Sequence, residues 1–260
     1  MGMDLTSHPE ALGAIAVVGN GRLGASVSRA AKDAGVDVAL AGRDDALEAC
    51  RGAEVALLCV PDAAIPEACE SIAEAVPPLR FVGHTSGATG LDALEAATAR
   101  GAEAFSLHPL QTVPDGDASL TGAPCAIAGA SPGATEAARA LALGLGMRPF
   151  EVPEESRAAY HAAASIASNF LVALEESATE LLERAGVEDG RELLAPLVLR
   201  TAANWAERGG EALTGPIARG DEETVRRHLE ALRETSPELV EMYEALAKRT
   251  RELARQGASA

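Results

Sequence analysis

Aromatic residues are scarce in this 260-residue chain: four Phe, two Tyr and one Trp, 3% in all. Apolar residues nevertheless reach 47%, which excludes a disordered chain and leaves Ala, Leu and Val to build the core. Cysteine is limited to Cys50, Cys59, Cys69 and Cys125. None forms a CxxC pair, so reduced, buried thiols in a cytoplasmic protein are expected. No apolar run approaches the ~20 residues that span a bilayer. The opening MGMDLTSHPE lacks the basic-then-apolar pattern of a secretory leader. Basic residues are also few, 22 against 39 acidic ones, for a net charge of -17. General nucleic-acid binding needs a basic footprint and is not expected. An anionic small molecule remains possible, because a helix N-terminus and one Arg hold phosphates locally. Walker, HExxH and GxSxG motifs are missing. His8, His84, His108, His161 and His228 show no metal-ligand spacing, so no metal is expected.

What is present is a repeating pattern. Short apolar runs at Ile15–Val18, Val36–Leu40, Val55–Val60, Phe81–His84 and Glu103–Leu107 alternate with helical stretches. That alternation predicts an α/β fold, a parallel sheet with helices on both faces. Ala126–Ala128 and Arg148–Val152, flanking a helix near Ala134–Gly144, complete the sheet. Beyond Pro153 strand-like runs vanish, and long helical stretches follow at about 155–185, 189–208, 221–233 and 237–255. Gly186, Gly209, Gly210 and Gly220 punctuate them, and Ser236-Pro237 reads as an N-cap with Pro at the first helical position. Two domains are expected: residues 1–152, a Rossmann dinucleotide-binding domain, and residues 153–260, all-helical.

Gly19-Asn20-Gly21-Arg22-Leu23-Gly24 follows the first strand and opens the first helix. The first Gly makes a tight turn, the second admits a pyrophosphate, and the third lets helix and strand pack closely. The second strand runs into Gly42-Arg43, where an NAD enzyme carries an acid for the ribose hydroxyls. A small residue followed by Arg suits a 2′-phosphate, held by charge-assisted hydrogen bonds, and favours NADP; the alternative is a solvated Arg43 with Asp44, just beyond, on the ribose. The third strand ends in Val60-Pro61-Asp62, at the edge where such sheets bind ligands. Asp62 either contacts the cofactor or, more simply, caps the next helix.

The fourth and fifth strands end in His84-Thr85-Ser86-Gly87 and in His108-Pro109-Leu110-Gln111-Thr112. Pro109 holds His108 extended. His108 is a candidate to donate a proton or hold a carboxylate, with backbone bonding as the alternative; His84 reads as structural. His161, Ser165 and Asn169 recur every four residues and so share one stripe of the predicted 155–185 helix. Buried polar groups of that kind need a ligand or each other. Near the end, LTGPIARGD makes a defined loop with Arg219 as a candidate anion clamp and Asp221 as a helix cap.

VVGNGRLG, LLCVPDAAI, HTSGATG, LHPLQTVP, YHAAASIASNFLVAL and LTGPIARGD together resemble a family of Rossmann-like oxidoreductases whose C-terminal half is the domain of unknown function 2520 (DUF2520). That family is similar to ketopantoate reductase, pyrroline-5-carboxylate reductase and the 6-phosphogluconate dehydrogenase group. The resemblance implies NADP and a helical C-terminal domain, like that of 6-phosphogluconate dehydrogenase, which often mediates homodimerisation. The group's hydroxyacid dehydrogenases carry a catalytic Lys followed by Asn on the first helix of that domain. Asn169 matches the Asn; the helix has no Lys, only Arg157 and His161 nearby.

The function these readings converge on is hydride transfer from NADPH to a C=O or C=N bond of a small carboxylate-bearing metabolite bound between the domains. A 2-oxo acid such as 2-oxopantoate and a cyclic imine are the candidate substrates. His161 or His108 supplies the proton, while Asn169, Ser86 and Arg219 orient the substrate. Gly19 to Gly24, Arg43, Val60 and Pro61 hold the cofactor. The alternatives are a non-catalytic dinucleotide sensor and a deazaflavin-dependent oxidoreductase.

Overall fold

The computed structural model describes residues 13–75 and 78–257. The N-terminal segment read above for its lack of a leader, with His8, lies outside them. By compactness the chain divides into Met1–Ser165 and Ile166–Ala260, so the division falls inside the first helix expected after Pro153.

In the first unit, seven strands form one sheet: β1 (Ile15–Val18), β2 (Val38–Ala41), β3 (Val55–Leu58), β4 (Phe81–His84), β5 (Glu103–Pro109), β6 (Pro124–Gly129) and β7 (Arg148–Glu151). Their spatial order is β2-β1-β3-β4-β5-β6-β7. All neighbours pair parallel except β5 and β6, which pair antiparallel. The chain leaves β1 for β2 on one side and then crosses to β3 on the other. That reversal opens a crevice at the strands' carboxyl ends, where doubly wound sheets bind ligands.

Alternation of side chains assigns each strand two faces. Ile15, Val17, Val55, Leu57, Phe105 and Leu107 face α1 (Arg22–Asp33) and α5 (Pro132–Gly144). Ala16, Val18, Ala56, Leu58, Val82 and Ala104 face α2 (Ala46–Cys50), α3 (Ile65–Ile72) and α4 (Glu95–Thr98). In the central strands β1, β3 and β4 both faces are buried, so these strands read as continuous apolar runs. With few aromatics, small residues set the spacing. Gly83 admits the ring of Phe105 against the backbone of β4, where a Cβ would collide with it.

The 155–185 stretch is not one helix. It divides into α6 (Arg157–Ala167) and α7 (Asn169–Arg184), with Ser168 at φ −124°, ψ −72° between them. Ser and Asn side chains compete for backbone hydrogen bonds and favour such interruptions. The expected His161–Ser165–Asn169 stripe is therefore broken: His161 and Ser165 stand on α6, and Asn169 begins α7.

The second unit contains α7, α8 (Gly190–Arg208), α9 (Pro216–Arg219), α10 (Glu222–Thr235) and α11 (Val240–Gly257). Asp221 caps α10, accepting from the backbone N–H of Thr224 at 3.0 Å. Ser236 stands at the N-cap position of a short 3-10 turn with Pro237 first in it, as expected, but its side chain makes no capping bond: its Oγ is 2.5 Å from Arg184 Nη1, and the residue is fully buried. No helix among the described residues is long and apolar enough to cross a membrane.

Candidate active site

The glycine-rich turn has the geometry its sequence requires. Gly19 has φ +114°, and a Cβ there would strike the carbonyl of Cys59. A Cβ on Gly24 would strike the carbonyl of Gly19, so the third glycine is what lets α1 approach β1. Gly21, by contrast, has nothing within 4 Å of where a Cβ would stand. It occupies the N-cap position of α1 without a side-chain cap. The first-turn N–H groups are thus left to water or to an anion. In the same unit α5 has its cap from Ser131, whose Oγ accepts from Ala134 N at 3.0 Å.

A cleft of about 250 Å³ opens beside this turn, lined among others by Gly19, Gly21, Gly42, Arg43, Val60 and Pro61. Asn20 also lines it, its Nδ2 3.4 Å from the position of a Gly42 Cβ. Arg43 is exposed and paired with Glu67 of α3, Nη1 to Oε1 at 2.7 Å. The side chain of Arg22 turns to the β5–β6 connection, donating to the carbonyl of Pro114 at 3.2 Å, which leaves only its backbone to the turn. Leu23 packs against the core. Asp62 opens a short 3-10 turn and makes no capping bond, contrary to the sequence expectation.

Further along the same carboxyl edge stands a polar cluster. β1, β3, β4 and β5 are successive neighbours, so it lies three strand spacings, about 14 Å, from the glycine turn. His84 is fully buried; its Nε2 meets the Gly90 carbonyl at 3.3 Å, and burial with the charge of Arg157 lowers its pKa to about 4. His84 thus takes the structural place expected of it. Ser86 Oγ is engaged within its own loop, donating to Thr89 Oγ1 at 2.9 Å and accepting from the N–H groups of Ala88 and Thr89.

His108 lies two residues beyond Ser106 on the same sheet face, its strand extended through Pro109 as expected. Its Nδ1 is 2.6 Å from the hydroxyl of Tyr160, and its ring is 6.0 Å from that of His161, edge to face. Gly87 separates the two imidazoles. A Cβ there would fall 2.8 Å from His161 Cδ2, 2.9 Å from His108 Cε1 and 3.0 Å from His108 Nε2. Burial first, and the charges of His161 and Arg157 next, lower the pKa of His108 to about 4. Burial raises that of Tyr160 to about 12. Both are neutral at pH 7. The phenol is the better donor and Nδ1 the free acceptor, which assigns the ring proton to Nε2, on the side of Gly87. We expect Gly87→Ala to cost about 1 kcal/mol of stability by overpacking. Urea unfolding measures that cost, and the NMR signals of His108 and His161 should move while that of His228 stays.

Arg157 ties the cluster together from the first residue of α6. Its side chain is only 7% exposed. It donates to Ser106 Oγ at 2.7 Å, to Glu154 Oε2 at 2.9 and 3.1 Å, and weakly to the Ser86 carbonyl at 3.4 Å. Glu154 in turn accepts from Leu91 N at 3.1 Å. Sequence reasoning noted Arg157 only as a basic neighbour of His161 and gave Tyr160 no role. The adjacency of Tyr160 to His161 was the available signal. Asn169 and Arg219 belong to the second unit, exposed at the start of α7 and at the end of α9.

Residues 9–109 match the Rossmann-like domain, ending with the last residue of β5. Residues 123–250 match the domain of unknown function 2520, which therefore begins with β6 rather than after β7. No curated protein matches the chain in sequence. Among solved structures, protein TM1727 of Thermotoga maritima is similar with a TM-score of 0.76 and 21% identity, over 94% of this chain and 99% of that one. A Bacteroides fragilis protein provisionally named NADP oxidoreductase BF3122 gives 0.75 and 23%, over 93% and 99%. A reductive aminase of Aspergillus terreus, solved with NADPH and ethyl-5-oxohexanoate, gives 0.68 and 18%, over 92% and 93%. At such identities the likeness is one of fold. In sequence the chain thus matches a Rossmann-like domain followed by the domain of unknown function 2520.

Proposed function

We propose that this protein is an NADP-dependent oxidoreductase that reduces a C=O or C=N bond of a small molecule. One observation carries the reading: an uncapped helix N-terminus in a glycine-lined cleft shares a sheet edge with a pair of facing imidazoles. The residues fit the cofactor. The open face of Gly21 and the first-turn N–H groups of α1 suit a pyrophosphate, and Arg43 suits a 2′-phosphate. A bound nicotinamide supplies the hydride.

The chain's own groups then divide the remaining work. His108, neutral and held by Tyr160, presents Nε2–H as a fixed hydrogen-bond donor that polarises the acceptor atom of the substrate. His161, on α6 and partly exposed, faces His108 and is assigned the proton delivery. Arg157 is spent on Ser106, Ser86 and Glu154, so it positions the cluster and does not clamp a carboxylate. The reductive aminase that shares the fold was solved with NADPH and a keto ester, which supports screening carbonyl and imine compounds. The test is a screen of 2-oxo acids, 2-oxopantoate among them, and cyclic imines, following NADPH absorbance. Turnover is expected with at least one of these classes. Tight NADPH binding with no turnover on any of them would leave a dinucleotide sensor as the better reading.

The second unit supports a homodimer. Phe170, Val172, Leu197, Leu199 and Trp205 are each more than half exposed, on α7 and α8. Very few residues of α7 to α11 are buried, Val225, Leu232 and Ala247 among them, so this unit buries little apolar surface of its own. Exposed apolar faces of that extent mark protein contacts, and a second copy presents the same face. Sedimentation at micromolar concentration should give twice the chain mass of 26.6 kDa. Leu197→Glu with Trp205→Ser should give monomer, and a wild-type monomer would end the proposal.

A further inference from the structure

The strand that precedes Arg43 ends at Ala41 and Gly42 follows it, so no acid stands at the strand's end, the usual place for reading a ribose 2′-hydroxyl; Asp44 and Asp45 come only after Arg43. The structure supplies a carboxylate from elsewhere. Glu67, in the first turn of α3, reaches the mouth of the same cleft and holds Arg43 Nη1 at 2.7 Å. Both side chains are largely exposed, 74% for Arg43 and 66% for Glu67, so neither is needed by the core and each is free to re-pair.

We propose that Glu67 is the residue that sets the choice between the phosphorylated and unphosphorylated forms of the dinucleotide, a reading that rests on the cofactor assignment above. A 2′-phosphate is an anion: at Arg43 it competes with the Glu67 carboxylate for the guanidinium, and the two anions repel each other. A plain 2′-hydroxyl is a donor and takes Glu67 as its acceptor while Arg43 stays paired. The ion pair therefore works as a selector with two settings. Glu67 restrains the preference for NADPH that Arg43 alone would give, and it lets NADH bind.

The experiment measures dissociation constants of NADPH and NADH by fluorescence for the wild type, Glu67→Gln, Arg43→Ala and the double variant. Glu67→Gln should bind NADPH about three- to fivefold more tightly, the scale of one exposed ion pair. Its NADH binding should weaken by about threefold as the charged acceptor is lost. Arg43→Ala should weaken NADPH far more than NADH. In the Arg43→Ala background the gain from Glu67→Gln should shrink to the part due to direct repulsion, because the carboxylate then has no cation to occupy. An unchanged NADPH affinity in Glu67→Gln, or equal changes for both nucleotides, would overturn the selector and leave the cofactor site standing. A gain undiminished without Arg43 would overturn it too, reducing Glu67 to a bare charge. A wild type that binds neither nucleotide would remove the cofactor reading itself.

Discussion

Arg157→Ala is expected to destabilise the first unit by about 2–4 kcal/mol, a large share of what a typical domain possesses. The substitution strands three partners at once. Ser106 Oγ, in a residue 1% exposed, loses its donor at 2.7 Å and cannot turn to water. The Ser86 carbonyl loses its contact with Nη1, and Glu154 loses a two-pronged ion pair. Glu154 is itself partly exposed, so water recovers some of that charge, which keeps the cost below that of a wholly buried pair. Urea unfolding measures the loss, and a change under about 0.5 kcal/mol would mean that the guanidinium was solvated rather than bound.

A pH series adds a readout that packing alone would not move. His84 and His108 have folded pKa values near 4, below the ordinary 6.5, and the charge of Arg157 contributes to both shifts. As pH falls from about 6.5 toward 4, the unfolded chain takes up protons before the folded one does. Stability is therefore lost over that window. Without Arg157 both histidines protonate more readily in the fold, so the acid-side slope of stability against pH should become shallower. An identical slope would show that the guanidinium does not act on the imidazoles.

The sheet was legible because alternation and length are local properties. Ile15, Val17 and Val18 sit in a short run bounded by the glycines of the turn, and each neighbouring run repeats that form. The glycine turn was legible for the same reason, since its three constraints fall within six consecutive residues. The interruption at Ser168 was not, because apolar periodicity continues across it and only the weak preference of Ser-Asn argues for a break. Arg157 was illegible in a different way. An arginine reads as surface, and its burial depends on Ser106 and Ser86 arriving from strands far away in sequence. Glu67 belongs to the same class: Arg43 stands out locally as a candidate anion ligand, but the carboxylate paired with it comes from 24 residues later. Ser86, read as a substrate group, folds its hydroxyl onto the loop that carries it, a local geometry that residue type alone does not specify. Side chains that meet their partners across strands are the part of a site that pattern reading misses.

His161→Ala should lower turnover by about a hundredfold or more while leaving the NADPH dissociation constant within about twofold, the signature of a lost general acid. The neighbouring groups cannot take over. Tyr160 is held neutral by burial, with its pKa raised to about 12, and its hydroxyl is engaged with His108. His108 stays deprotonated at Nδ1 down to about pH 4, so near neutrality it has a hydrogen bond to offer but no proton to give up. His161 stands on the other side of Gly87, partly exposed on α6 and within reach of solvent. The cleft beside Gly21 does not include it, which is why nucleotide affinity should survive its loss. Added imidazole should restore part of the activity of His161→Ala by entering the space left at α6, and it should do nothing for the wild type. A variant that turns over at the wild-type rate would transfer the proton to another source. A variant that loses NADPH binding in parallel would instead mean that His161 holds the cofactor.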